Sequence, residues 1–165
     1  MPEQHIQSAI TLCGFALAHA AWSVSDGETL CTMAVTENQA ERRLFRFESS
    51  SIPGSNEIAR ERLFGLQDRV DRWALVFDGY FTLRSERKDA LIVQTWDKRG
   101  VTLSRIIQPY QAKAFFRRFK ILGDPRFVDE SGALVENADY QRWMVDGLQQ
   151  HPKVAGLWNK WSLPA

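Results

Sequence analysis

The chain has 165 residues, 44% hydrophobic and 25% charged, with a formal net charge of +1. A domain of that length buries a core without disulfide or metal staples, and the ordinary composition excludes disordered, fibrous and low-complexity classes. No apolar run approaches the roughly 20 residues of a membrane span, and no internal repeat recurs at a fixed period.

Residues 4–21 place Ile6, Ile10, Cys13, Leu17 and Ala20 at the 3- and 4-residue spacing of one helical face, with alanines adding propensity. An export signal would want basic residues ahead of this apolar run. Residues 1–8 hold Glu3 and no Lys or Arg, and Gly14 and His19 interrupt the run. The expectation is therefore a buried helix. With only Cys13 and Cys31, a reducing cytoplasm is expected rather than a disulfide framework.

Ser25-Asp26-Gly27 breaks that helix. Strands over 30–35 and 42–48 follow as a hairpin around 37–40, and in the second strand Phe45 and Phe47 alternate against Leu44, Arg46 and Glu48. A loop over 49–54 leads to a helix from an N-cap at Ser55 to about Val70, buried through Ala59, Leu63, Leu66 and Val70. Three strands come next, over 72–83, 87–98 and 101–108. Their connections are too short for parallel crossovers, so the ribbon is antiparallel. Asp78-Gly79 is read as a bulge in one long strand rather than a hairpin turn. In that register Leu83 faces Lys88 and Asp78 faces Val93. In the third strand Arg105 shares a face with Val101, Leu103 and Ile107, and Pro109-Tyr110 ends the strand.

Residues 112–122 read as a short helical turn followed by an edge strand over 118–122, where Lys and Arg are at home. A small hairpin over 126–129 and 133–135 precedes a helix over 138–150 capped by Asn137 and ended by Pro152. Trp158 and Trp161 predict that the tail over 154–163 docks back on the body, because each carries a large apolar area. The sum is a single α+β domain over 1–165, with a mostly antiparallel sheet of five to six strands, a central meander over 72–108 and about three helices.

Catalytic patterns are missing. The histidines at 5, 19 and 151 stand apart, no CxxC or HExxH spacing exists, and no metal site or cofactor is expected. No Ser-centred elbow, Cys/His signature or glycine-rich phosphate loop is present. Asp78, Asp89 and Asp97 fall too far apart in the expected register to couple as acid and base.

Charge distribution carries the functional hint. Residues 1–83 hold 7 Lys and Arg against 11 Asp and Glu, 84–126 hold 11 against 4, and 127–165 hold 3 against 5. A basic middle between acidic flanks concerns partners and steering rather than fold. Within it, cations interleave with aromatic residues, and Trp96, Arg105, Tyr110, Arg117 and Arg118 are of the residue types that dominate interfaces. The expectation is a small soluble, cytoplasmic binding or inhibitor protein, of the kind that neutralises a toxin enzyme, acting on a protein with an acidic surface. The competing expectation is nucleic-acid binding through the basic 98–126 segment. The chain's pI of about 7.8 is lower than the value of about 9 typical of such domains.

Overall fold

The computed structural model describes residues 2–162. Its centre is an eight-stranded antiparallel sheet ordered β2-β1-β3-β4-β5-β7-β8, with β6 also paired to β5. The strands are β1 (Thr32–Asn38), β2 (Glu41–Phe47), β3 (Arg72–Leu83), β4 (Glu86–Asp97), β5 (Leu103–Gln111), β6 (Lys120–Ile121), β7 (Arg126–Asp129) and β8 (Leu134–Val135). Four helices accompany them: α1 (Pro2–Val24), α2 (Ile52–Gly65), α3 (Ala138–Gln149) and α4 (Trp158–Ser162). The α+β class and antiparallel meander stand as expected, with eight strands in the sheet rather than five to six. Among the described residues no helix is long and apolar enough to cross a membrane.

Helix α1 is buried on more than its predicted stripe: Ala9, Leu12, Ala16, Ala18 and Ala21 are as inaccessible as Ile10 and Leu17. The reason is that α1 is clasped from two sides, lying over β1, β3 and β4 while α3 packs against it. The α1–α3 crossing depends on two glycines, since a Cβ on Gly147 would stand 2.0 Å from the Thr11 carbonyl oxygen. On the opposite sheet face α2 covers β1 and β3 through Ala59, Leu63, Ala34 and Leu75.

Several local expectations are corrected. Helix α2 starts earlier than Ser55: Ser51 is its N-cap, accepting a hydrogen bond from the Gly54 N–H, and Pro53 fits the first turn, where proline's missing N–H costs nothing. The helix also ends before Val70, at Gly65. The β3–β4 hairpin turns on two residues, Arg84-Ser85, both at positive φ, so Leu83 faces Glu86 rather than Lys88. Left-handed backbone costs a non-glycine residue about 1–2 kcal/mol. Ser85→Gly is therefore expected to raise stability by about 1 kcal/mol in urea unfolding.

There is no bulge at Gly79, which pairs regularly with Ala90; a Cβ there would meet Ile92 Cγ1 at 3.0 Å. The alternative hairpin at Asp78-Gly79 is absent, and β3 is one long strand. Strand β5 runs through Pro109, whose carbonyl accepts the Leu122 N–H at 3.0 Å. A residue's N–H and C=O point the same way in a strand, so the missing donor faces the break between β6 and β7. A register shift between Leu103 and Arg105 puts Leu103 in the α1-side core. Arg105 consequently lies exposed and does not share Leu103's face.

At the edge of the α1-side core a buried ion cluster joins four strands. Arg72 bonds to Asp97, at 2.7 Å, and to Glu37, which also accepts from Arg42 at 2.8 Å. The tail docks as expected: Val154 is fully buried and Trp161 packs on Phe119. Leu163, the predicted end of that tail, lies outside the described residues.

A candidate partner-binding finger

The segment after β5 is neither a helical turn nor a five-residue edge strand. β5 and β6 pair at Tyr110–Ile121 and Gln111–Lys120, and their ladder extends outward to a bridge between Ala114 and Arg117. The Ala114 N–H donates to the Arg117 carbonyl at 3.0 Å, and the Arg117 N–H donates to the Ala114 carbonyl at 3.1 Å. Phe115 and Phe116 therefore form a two-residue apex, and neither takes a positive φ. Turns with negative φ at both central residues accept most side chains. Below the apex the Gln111 side-chain amide donates to the Arg118 carbonyl at 2.8 Å.

This finger carries its apolar side chains outward. Phe115 and Phe116 are each 92% exposed, the most exposed large hydrophobics among the described residues. Their rings meet edge to face with centroids 4.6 Å apart, a favoured aromatic geometry. Lys113, Arg117 and Arg118 are exposed around them, with Lys120 half-buried. None of these cations is held in an ion pair among the described residues. Phe119 alone turns inward, between Tyr110 at 5.7 Å and Trp161 at 5.1 Å. The finger is thus an exposed tip on a packed base.

The expected site residues separate. Arg117 and Arg118 lie on the finger. Tyr110 is buried at its base, and its hydroxyl donates to Asp78 Oδ1 at 2.9 Å. Trp96 is half-buried and stacked on Trp73 across the β3–β4 pair. Arg105 is exposed elsewhere, on β5 next to β7.

The fold also brings together groups that looked separate. Asp78 faces Leu91 and Asp89 faces Tyr80, so the two carboxylates are diagonal neighbours on one sheet face, not four residues apart. Burial pushes the Asp78 carboxyl up, against the hydrogen bond from Tyr110, and the Asp89 carboxylate adds to the push. Burial likewise raises the Tyr110 hydroxyl, with Asp78 next in effect. The Tyr110–Asp78 bond ties β5 to β3 beneath the finger. His19 and His151, 132 residues apart, meet at 3.0 Å. Cys13 and Cys31 are free thiols; burial pushes Cys13 up to about 12, leaving it a neutral core residue. Cys31 lines a cavity of about 400 Å³ with Trp22, Ser25, Glu28, Met33 and Arg46. Its sulfur faces the Phe47 and Thr32 carbonyls at 3.5 and 3.7 Å. Among the described residues no group of three or more His, Cys, Asp or Glu could hold a metal ion.

What sequence reasoning missed is the Phe-Phe apex itself. Ala114-Phe115-Phe116-Arg117 contains no Gly, Pro, Asn or Asp, the residues by which turns are recognised. The available signal was two adjacent phenylalanines inside a run of cations, a pattern that no one-faced helix or strand buries. No family model, curated protein or solved structure matches this chain, so the finger is read on its own chemistry.

Proposed function

We propose that this is a binding protein that acts by covering an acidic protein partner, with the β5–β6 finger as its principal contact. The observation that carries the reading is the Phe115–Phe116 apex, exposed on both rings and fixed by two backbone hydrogen bonds. An apolar tip held in water is costly without a partner to bury it. Burying a phenylalanine fully contributes about 1.5–3 kcal/mol, so the apex supplies about 3–6 kcal/mol at a pre-formed site. Lys113, Arg117 and Arg118 add electrostatic steering, which acts chiefly on association rate and partner choice. The fitting partner presents an apolar cleft rimmed by carboxylates. An inhibitor of immunity type, inserting the finger into an enzyme's active-site cleft, is the form of this reading we favour.

A photoreactive phenylalanine analogue placed at position 115 in the native host tests it. A discrete protein adduct is expected from this position, lost on Arg117→Glu/Arg118→Glu, and none from a control probe at Ser131 in the β7–β8 turn. Equal labelling from both positions would contradict the reading.

Nucleic-acid binding has one observation in its favour. Beside α2 on the sheet, the guanidinium groups of Arg60 and Arg126 lie over the Phe77 and Phe81 rings at 5.5 and 4.8 Å. Cations with aromatic faces can hold a single strand, with affinity that falls steeply with salt. Absence of a mobility shift with single-stranded DNA and RNA at low salt would remove this second reading.

A further inference from the structure

The His19–His151 contact defines its own proton positions. The Lys153 N–H donates to His151 Nδ1 at 3.2 Å, so that nitrogen is an acceptor and the His151 proton sits on Nε2. His151 Nε2–H then donates to His19 Nδ1 at 3.0 Å. That leaves the His19 proton on Nε2, a buried atom with no hydrogen-bond partner among the described residues. These tautomers follow from the hydrogen-bond network, and both rings are neutral.

The surroundings disfavour a positive charge. Phe15 and Trp22 lie against the His151 ring at 5.4 and 6.2 Å. The charged groups facing the pair are three cations, one from the stretch after α3 and two from β2. Lys153, after α3, places its ammonium over Trp22 at 4.6 Å, Arg42 of β2 lies over Phe15 at 4.8 Å, and Arg46 of β2 acts on His19. The carboxylates of this corner, Asp26 and Glu28, line the cavity that Trp22 shares with Arg46. Glu37 is engaged by Arg42 and Arg72. Burial is the first cause that lowers the proton affinity of both histidines, followed by His151 and then Arg46 at His19, and by Lys153 at His151.

His151 is also the first residue of the stretch that leads to the finger. Val154 is buried, α4 packs on β6, and Trp161 closes on Phe119, the inward residue of the finger's base. A proton added to His19 Nδ1 sets two N–H groups against each other, and one added to His151 Nδ1 sets it against the Lys153 N–H. One proton breaks one hydrogen bond of the chain, and two break both.

We propose that His19 and His151 form an acid-released latch: proton uptake parts the rings, frees His151 and Lys153 from α1 and, through them, loosens residues 154–162 and removes Trp161 from the base of the finger. Its final consequence, a loosened binding site, rests on the finger reading above; the latch itself does not.

Both histidines have lowered folded-state proton affinity, so the unfolded or released chain binds more protons. Stability from the latch is complete above about pH 6.5, the ordinary histidine value, and is lost as pH falls below it. Indole ¹H–¹⁵N signals of Trp158 and Trp161, followed from pH 8 to pH 5 without any partner, read this directly. In the wild type they are expected to move to the free-indole position with a midpoint below pH 6.5, while Trp73 stays fixed. Two protons taken up together shift the equilibrium about a hundredfold per pH unit. His19→Gln keeps a hydrogen-bonding amide, leaves one titrating ring and is expected to flatten the slope to about tenfold per unit. Trp158 and Trp161 signals that stay in place while the rings titrate would overturn the latch, as would an unchanged slope in His19→Gln. Failure of the finger to bind a partner would leave these signals as they are.

Discussion

Gly147→Ala is expected to lower stability by about 3 kcal/mol or more, the upper part of the overpacking range. On an exposed helix the same change would add about 1 kcal/mol, because alanine is the better helix former. Here the new Cβ would meet the Thr11 carbonyl oxygen at 2.0 Å, the Gly14 Cα at 2.9 Å and the Phe15 nitrogen at 2.9 Å. All three are backbone atoms of α1, and none can rotate away. The helices must separate, and α3 carries Trp143, Met144 and Leu148 into the main core. For a chain of this size 1 kcal/mol corresponds to about 2–4 °C, so Tm should fall by about 6–12 °C in thermal unfolding followed by circular dichroism. Gly14→Ala should behave alike, since its Cβ would stand 2.3 Å from the Met144 carbonyl oxygen. A rise in Tm for either variant would mean that the two helices do not cross this closely.

Arg72→Met is the second large effect. It leaves Asp97, whose side chain is fully inaccessible, without its guanidinium, and leaves Glu37 with Arg42 alone. Breaking one side of a buried pair costs about 3–5 kcal/mol, because a charge remains in a poorly solvated place. Urea unfolding should show that loss, and it should persist in high salt, which screens buried pairs weakly. Arg72→Met/Asp97→Leu should recover much of it, since removing both charges removes the stranded one. Lys98 and Asp71 form a comparison pair at the surface, with the lysine half-exposed. Lys98→Met is expected to cost at most about 1 kcal/mol. Equal losses at Arg72 and Lys98 would show that burial does not set the strength of these contacts.

Much of the fold is legible in the residues because alternation and helical spacing report which faces are buried. The meander over 72–108, the Asn137 cap of α3 and the docking of the tryptophan tail all follow from that signal. The errors share a cause in turn chemistry. Arg84-Ser85 makes a left-handed turn without glycine or asparagine, so the register slipped by two residues and Asp78 and Asp89 looked unrelated. Pro53 resembled a loop residue when it was a first-turn residue behind Ser51. A single irregularity between Leu103 and Arg105 puts those two residues on different faces, a change that strict alternation cannot show. The finger was hidden twice, by an apex without turn residues and by phenylalanines that packing arguments assign to the core. The His19–His151 contact spans 132 residues and leaves no local pattern.

Lys113, Arg117 and Arg118 of the basic middle segment stand exposed on the finger. A basic middle segment alone does not say where on the surface a partner would meet it. The apex of two exposed phenylalanines, among cations without an ion pair in the described residues, is where apolar area is offered in the proposed reading, and Phe119 packs under Trp161 at its base. The binding affinity of the photo-captured partner for wild type and for Phe115→Ser/Phe116→Ser tests this account most directly. Loss of about 3 kcal/mol of burial corresponds to about a hundredfold, so the double variant should bind at least about a hundredfold more weakly while its Tm stays within about 2 °C of wild type. Undiminished affinity in a folded double variant would contradict the account.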